Sequence, residues 1–278
     1  MAAQAPALRL RALTLMDVLD ESFRIYRANF PVLAGLAILL YIPLLAVQLL
    51  SGTASVVTAY YQLFTTGAVP ADITAGNPWI SLLQYPIQLG LLPFQTTALY
   101  AASVAIVLGR PVTVLSALQT VLKRYWALWA LSFLYGLAGV ALICPPAGIW
   151  LVTRLSMMFP AIFTEEASLG TAIERSWRLT YRAFWRIFAI LLLSFVLAYT
   201  LETALAGVFL VGAGVFPGLP VQVRAILMIA VASLMVQVVE PLFALAVTLL
   251  YFDLRVRREA FDLEVMAYQL SLPKGATS

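Results

Sequence analysis

The chain of 278 residues contains no histidine and a single cysteine, Cys144. Without histidine it lacks the commonest general base and the commonest metal ligand. One cysteine rules out an internal disulfide and a metal site built from several cysteines. Charged residues are also scarce, at 11% of the chain, whereas soluble domains carry about 25%. These absences argue against a soluble enzyme and against metal-dependent catalysis.

Hydrophobic residues, in contrast, make up 63% of the chain. So little polar surface would not cover a core of that size, and the composition therefore indicates a membrane protein. A bilayer core about 30 Å thick needs roughly 20 apolar residues of helix. Six segments meet or approach this length, and we expect each of them to span the membrane: 30–50, 80–108, 126–143, 147–163, 187–209 and 225–252.

The basic residues are distributed unevenly around these segments. With six spans, all Lys and Arg residues fall on one side of the membrane except Arg154 and Arg224. The positive-inside rule then places both termini in the cytoplasm. The segment CPPAG at 144–148 makes a tight break between the third and fourth spans. A single kinked or re-entrant segment at that position is the alternative.

A basic and aromatic segment, IERSWRLTYRAFWRIF, occupies residues 173–188. At 100° per residue its arginines fall on one stripe and most of its large apolar side chains lie opposite. This pattern is typical of a helix that lies in the membrane interface, although a solvated linker that only enforces topology is the alternative. We expect the following residues to contact anionic lipid headgroups at the interface: Arg175, Arg178, Arg182, Arg186, Trp177 and Trp185.

Two earlier stretches look like weaker copies of this segment, LDESFRIYRANF at 19–30 and TVLSALQTVLKRYW at 113–126. We therefore predict interfacial amphipathic helices at about 14–29, 112–124 and 168–186. The predicted fold is an all-α integral membrane protein in which six spans form three hairpins, each preceded by a cytoplasmic interfacial helix. The alternative is that selection for arginine and aromatics makes all such junctions look alike. A tail helix at 253–270 is expected to pack against the arginine stripe.

Three ionisable residues lie inside the predicted spans, namely Arg154, Glu202 and Glu240. Charges in hydrocarbon are costly and therefore often mark functional sites. Arg154 and Glu202 each lie about seven residues, or roughly 10 Å, from the outer ends of their spans, and we expect them to form an ion pair. Either the three residues line a polar cavity, or the ion pair stabilises helix packing while Glu240 is protonated.

Three of the junctions resemble a known bacterial family: LDESFRIYRANF, SWRLTYRAFWRIF and LTLLYFDLRVRREAFDLE. They are similar to the glycerophosphoryl diester phosphodiesterase membrane domain, and ICPPAGIWLVTRLSMMFPAIF at 143–163 fits the same resemblance. The likeness covers about residues 13–268 and implies a location in the bacterial cytoplasmic membrane. The catalytic barrel to which some members are fused is absent from this chain, so the resemblance does not imply phosphodiesterase activity.

The sequence therefore predicts a non-enzymatic multi-pass membrane protein that acts as a scaffold or as a partner- and lipid-binding module. The alternative is a transporter, or a transporter subunit, that uses Arg154, Glu202 and Glu240. An enzyme acting on lipids ranks third, because no catalytic group is recognisable. We expect no cofactor and no metal. The expected partners are membrane lipids, with a protein partner or a second copy of the chain as further possibilities and no nucleic acid.

Overall fold

The structure, a computed structural model, describes residues 13–50, 78–165, 167–213 and 218–259. The predicted helix beyond residue 259 lies outside these ranges. Within them the chain folds into α-helices and one short 3₁₀ turn, Ala141–Ile143. The α-helices are α1 (Leu15–Ala28), α2 (Phe30–Leu50), α3 (Pro78–Val107), α4 (Val114–Lys123), α5 (Tyr125–Val140), α6 (Pro145–Leu155), α7 (Met158–Thr164), α8 (Leu169–Thr180), α9 (Phe184–Ala213) and α10 (Val221–Glu259).

Six stretches of the described chain are long and apolar enough to cross a membrane, as the sequence predicts. The chain is therefore, by helix length and composition, a multi-pass membrane protein. The stretches are Phe30–Leu50, Tyr85–Val107, Tyr125–Ile143, Pro145–Thr164, Phe184–Leu201 and Ile229–Glu259. Helix α10 alone has 39 residues and is therefore about 58 Å long, which is well beyond the thickness of a hydrocarbon core.

The fourth stretch is broken rather than straight, which differs from the continuous span expected at 147–163. Helix α6 ends at Leu155 and α7 begins at Met158. The side chain of Phe159 in α7 is almost fully buried and stacks on Tyr100 of α3, with ring centroids 5.0 Å apart. Packing against α3 therefore accompanies the interruption of the helix at a place where hydropathy alone shows one apolar run.

The connection from α5 to α6 is a close turn that needs glycine. Prolines 145 and 146 occupy the first positions of α6, where their missing N–H groups cost nothing. A Cβ atom added at Gly148 would lie 2.4 Å from the backbone nitrogen of Leu142. Only glycine allows this approach. Cys144, in the turn itself, is exposed.

The buried core lies mainly toward one end of the helices. Its largest contributions come from residues 33–45 of α2, residues 97–107 of α3, residues 239–254 of α10 and nearly all of α7. Helix α10 packs against α1, α2, α3, α7 and α9 and is the central element of this core.

A buried carboxylate at this end joins three distant parts of the chain. The Asp253 side chain is fully buried in α10. Its oxygens accept hydrogen bonds from the Leu13 backbone N–H at 2.7 Å, from Arg186 at 2.8 Å and from Arg257 at 3.0 Å. The same two guanidinium groups also donate to the Leu13 carbonyl, at 2.6 and 2.7 Å. The charge of Asp253 is thus compensated by three donors, which a buried charge requires.

A second ionic network lies on the same end of α10. Arg175 binds both Glu259 and Glu165, the latter at 2.8 Å. Arg255 binds Glu259 at 3.2 Å, and the Tyr251 hydroxyl donates to Glu165. The part of the tail that the structure describes therefore packs against the basic segment, as the sequence indicates. We call this end of the molecule, with its two networks, the ion-paired end.

The three short helices α1, α4 and α8 begin in similar ways. Thr14 and Thr113 each form a reciprocal capping box, with Asp17 and Ser116 respectively. Ser168 caps α8 by accepting the N–H of Thr171 at 3.4 Å. In the first two cases a single residue, Asn29 or Arg124, separates the short helix from the following apolar helix.

Neutralising Asp253 should strongly destabilise the folded chain. We expect Asp253→Asn to lower the free energy of unfolding by about 3 kcal/mol, because two guanidinium groups would lose their buried counterion. Thermal unfolding of the purified protein in detergent measures the effect. The control is Glu21→Gln, which breaks the exposed Glu21–Arg24 pair and should cost less than about 1 kcal/mol. Equal losses in the two variants would contradict the role assigned to Asp253.

The single native cysteine offers a test of the spanning arrangement. Cys144 is separated from the ion-paired end by the length of α5. In sealed vesicles, a membrane-impermeant maleimide should therefore label Cys144 from one side of the membrane. In a Cys144→Ser background, it should label Arg178→Cys, at an exposed position of the ion-paired end, only from the other side. Labelling of both positions from the same side would refute the arrangement.

Candidate functional site

The predicted interfacial helix at 168–186 is interrupted in the structure. Helix α8 ends at Thr180, a turn follows, and α9 begins at Phe184. The Trp177 carbonyl, near the end of α8, accepts hydrogen bonds from Arg154 at 3.2 Å and from the Thr180 hydroxyl at 3.1 Å. Helix-terminal carbonyls need such partners. Side chains of α6 and α8 therefore satisfy this end, and the four arginines do not share one continuous helix.

Two arginines of the predicted stripe belong to the ionic networks. The Arg175 side chain is only 11% exposed and binds Glu165 and Glu259. Burial tends to lower the pKa of Arg175, but the hydrogen bonds that Arg175 donates to Glu259 and Glu165 outweigh burial and raise this pKa above its ordinary value. Arg186 binds Asp253 and the Leu13 carbonyl. The expectation that all four arginines present their charge along one interfacial stripe is therefore corrected. Arg175 and Arg186 instead form ion pairs with carboxylates of the protein and stabilise the fold.

The other two arginines of the stripe are exposed, and a third joins them from α10. Arg178 and Arg182 lie on the surface. Arg258 donates a hydrogen bond to the Arg178 carbonyl at 3.2 Å and lies close enough to Arg182 to be repelled by it. We call Arg178, Arg182 and Arg258 the arginine cluster. Within the described ranges, no carboxylate forms an ion pair with any of the three.

Exposed aromatic rings lie beside the arginine cluster. Trp177, Tyr181 and Trp185 are 37%, 68% and 76% exposed. Tryptophan and tyrosine are the residues enriched where proteins meet lipid headgroups, since each has an apolar body and a polar edge. The placement of Trp177 and Trp185 at the surface is compatible with the interfacial role that the sequence predicts for them.

Arg154 lies beneath two of these rings. Its guanidinium carbon is 5.7 Å from the ring centre of Trp150, 5.3 Å from that of Trp177 and 5.5 Å from that of Tyr181. The Ser176 hydroxyl donates to the Arg154 carbonyl at 2.6 Å. Arg154 thus fixes the end of α8 to α6 and holds the rings in place through cation–π contacts.

The ion pair expected between Arg154 and Glu202 stays a prediction, because it involves a side chain outside the described set. Among side chains that the structure describes, none that contacts Arg154 is a carboxylate. The Glu202 side chain itself lies outside the described set. Glu240 is exposed on α10 immediately before the buried Pro241. From the sequence, the position of Arg154 was inferred only from the number of residues between it and the end of its span. Its contact with α8 is a tertiary contact that the fold reveals.

A shallow groove runs along the exposed face of α8 next to the arginine cluster. Six residues line it: Gly170, Ile173, Glu174, Trp177, Arg178 and Tyr181. Their spacing follows the helical period, so that they form one continuous face. No pattern in the sequence pointed to Glu174 or Arg258 as site residues. Arg258 looked the same as Arg255 and Arg257 in the sequence, because only the tertiary contacts separate the three.

The fold and this site define a helical multi-pass membrane protein with exposed aromatic rings at one end and, among the residues that the structure describes, an arginine cluster without a carboxylate partner. Comparisons with protein-family models, with curated proteins and with solved structures find no match. The resemblance to the glycerophosphoryl diester phosphodiesterase membrane domain therefore stays a prediction.

Removing the charge of Arg154 should change the surroundings of the neighbouring rings. We expect Arg154→Gln to shift the intrinsic tryptophan emission, because the guanidinium lies close to two indole rings. Limited proteolysis should also cut faster near residues 180–183, since a partner of the α8 terminus is lost. Arg110→Gln, a substitution of an exposed arginine, is the control and should change neither signal. An unchanged emission spectrum in Arg154→Gln would argue against the ring contacts.

Proposed function

We propose that this protein is a non-enzymatic membrane module whose ion-paired end binds phospholipid headgroups of the cytoplasmic leaflet. The observation that carries the proposal is the arginine cluster, in which Arg258 bonds to the backbone of Arg178 beside Arg182 and, within the described ranges, none of the three arginines forms an ion pair with a carboxylate. Guanidinium groups bind phosphate oxygens through paired, charge-assisted hydrogen bonds. A bound phosphate would relieve the repulsion between Arg182 and Arg258.

The exposed rings support a lipid rather than a soluble anion as the ligand. Tyr181 lies between Arg178 and Arg182 in the chain, and Trp185 follows them. At a membrane surface, such rings insert near the glycerol level while arginine side chains extend to the phosphates. The cytoplasmic orientation follows from the excess of basic residues at this end.

The ionic networks support a scaffold role for the same end. The region around Asp253 and Glu165 is held by hydrogen bonds among α8, α9, α10 and the segment at Leu13. A rigid base of this kind keeps the arginine cluster in one geometry, which favours binding of a ligand with fixed charge spacing. A protein partner or a second copy of the chain would use the same rigid surface.

Neutralising the arginine cluster should weaken lipid binding without unfolding the chain. We expect the triple variant Arg178→Gln, Arg182→Gln, Arg258→Gln to bind phosphatidylglycerol about a hundredfold more weakly. This follows from about 1 kcal/mol for each basic residue that faces an anionic headgroup. Native mass spectrometry of the purified full chain, titrated with the lipid in detergent, measures the affinity.

The matched control removes the same amount of charge elsewhere. Arg24, Arg27 and Arg110 are exposed arginines outside the arginine cluster, and their triple replacement by Gln should leave the affinity nearly unchanged. Equal weakening in both triple variants would mean that only net charge matters and would refute the site. Glu240→Gln should also leave lipid binding unchanged, whereas the transporter alternative predicts that this variant abolishes transport of a solute.

A further inference from the structure

The groove on α8 contains a negative charge that the proposed phosphate site does not explain. Glu174 is exposed, and no described residue forms an ion pair or hydrogen bond with it. It lies one helical turn before Arg178, a spacing at which glutamate and a basic residue often pair. Here the two side chains do not pair, so that the groove has a free carboxylate near one end and a free guanidinium near the other.

This arrangement complements a ligand that carries a positive and a negative group a short distance apart. We propose that the groove binds an aminophospholipid, with its phosphate at Arg178 and its ammonium group at Glu174. The inference rests on the proposed function, since the phosphate position belongs to the arginine cluster. The inference adds the class of lipid: the Glu174 carboxylate would attract a headgroup that carries an ammonium group and would repel an anionic headgroup that lacks one.

The other groove residues fit the rest of such a molecule. Ile173, Trp177 and Tyr181 supply an apolar wall suited to the glycerol and the first methylene groups. No other atom would lie within 4 Å of a Cβ at Gly170, so that this end of the groove is open next to Glu174. The Trp177 and Tyr181 rings are held from below by Arg154, which fixes the wall before the lipid binds.

The test compares three lipids with identical acyl chains on the purified full chain in detergent, again by native mass spectrometry. They are phosphatidylethanolamine, whose ammonium donates hydrogen bonds, phosphatidylcholine, which lacks those donors, and phosphatidylglycerol, which has no amine. The wild-type chain should bind phosphatidylethanolamine about threefold more tightly than phosphatidylcholine, the preference expected when the ammonium donates one net hydrogen bond to an exposed carboxylate.

The substitution Glu174→Gln should abolish this preference without weakening the binding of phosphatidylglycerol. Asp20→Asn, which removes an exposed carboxylate on α1, is the control and should leave all three affinities unchanged. Because Glu174 is exposed and unpaired among the described residues, its replacement should not alter the thermal unfolding midpoint, and this measurement excludes misfolding as a cause.

The possible failures are distinguishable. If Glu174→Gln keeps the preference for phosphatidylethanolamine, or if the wild-type chain shows none, the aminophospholipid inference is wrong while the phosphate site can still stand. If the triple variant of the arginine cluster binds every lipid as tightly as the wild-type chain, the proposed function itself is wrong, and the inference is overturned with it.

Discussion

The rest of the structure depends on the compensation of one buried carboxylate. Asp253 lies inside the protein, where an isolated negative charge would be very costly. Its hydrogen bonds to Leu13, Arg186 and Arg257 remove that cost and join the start of the described chain to α9 and α10. Because each donor comes from a different part of the chain, the first helix and the last two spans must meet at the same end.

This requirement divides the arginines into two groups with different roles. Arg175 and Arg186 neutralise buried or half-buried carboxylates and therefore belong to the fold. The arginine cluster remains uncompensated within the described chain and faces outward beside exposed rings. Arg154 belongs to neither group, because it satisfies the end of α8 and supports the rings of Trp177 and Tyr181.

A membrane module that binds headgroups accounts for these features with few assumptions. The networks hold the ion-paired end together, and the arginine cluster and groove offer charged groups of both signs, as the binding of a zwitterionic headgroup requires. The transporter alternative placed Arg154 in a polar cavity within the membrane. In the structure its guanidinium group instead contacts the end of α8 and aromatic rings. The resemblance to the phosphodiesterase membrane domain stays a prediction and is compatible with a role that involves no catalysis.

The sequence by itself determined the membrane class, the six apolar stretches and the concentration of basic residues near their ends. These properties are sums over neighbouring residues, so that hydropathy and charge counts reveal them. Only the tertiary structure decided which arginines are compensated, which groups Arg154 contacts and where the fourth stretch is interrupted. Leu13 and Asp253 are 240 residues apart and Arg175 and Glu259 are 84 apart. Pairing across such separations depends on how the helices pack, and no local pattern in the sequence encodes it.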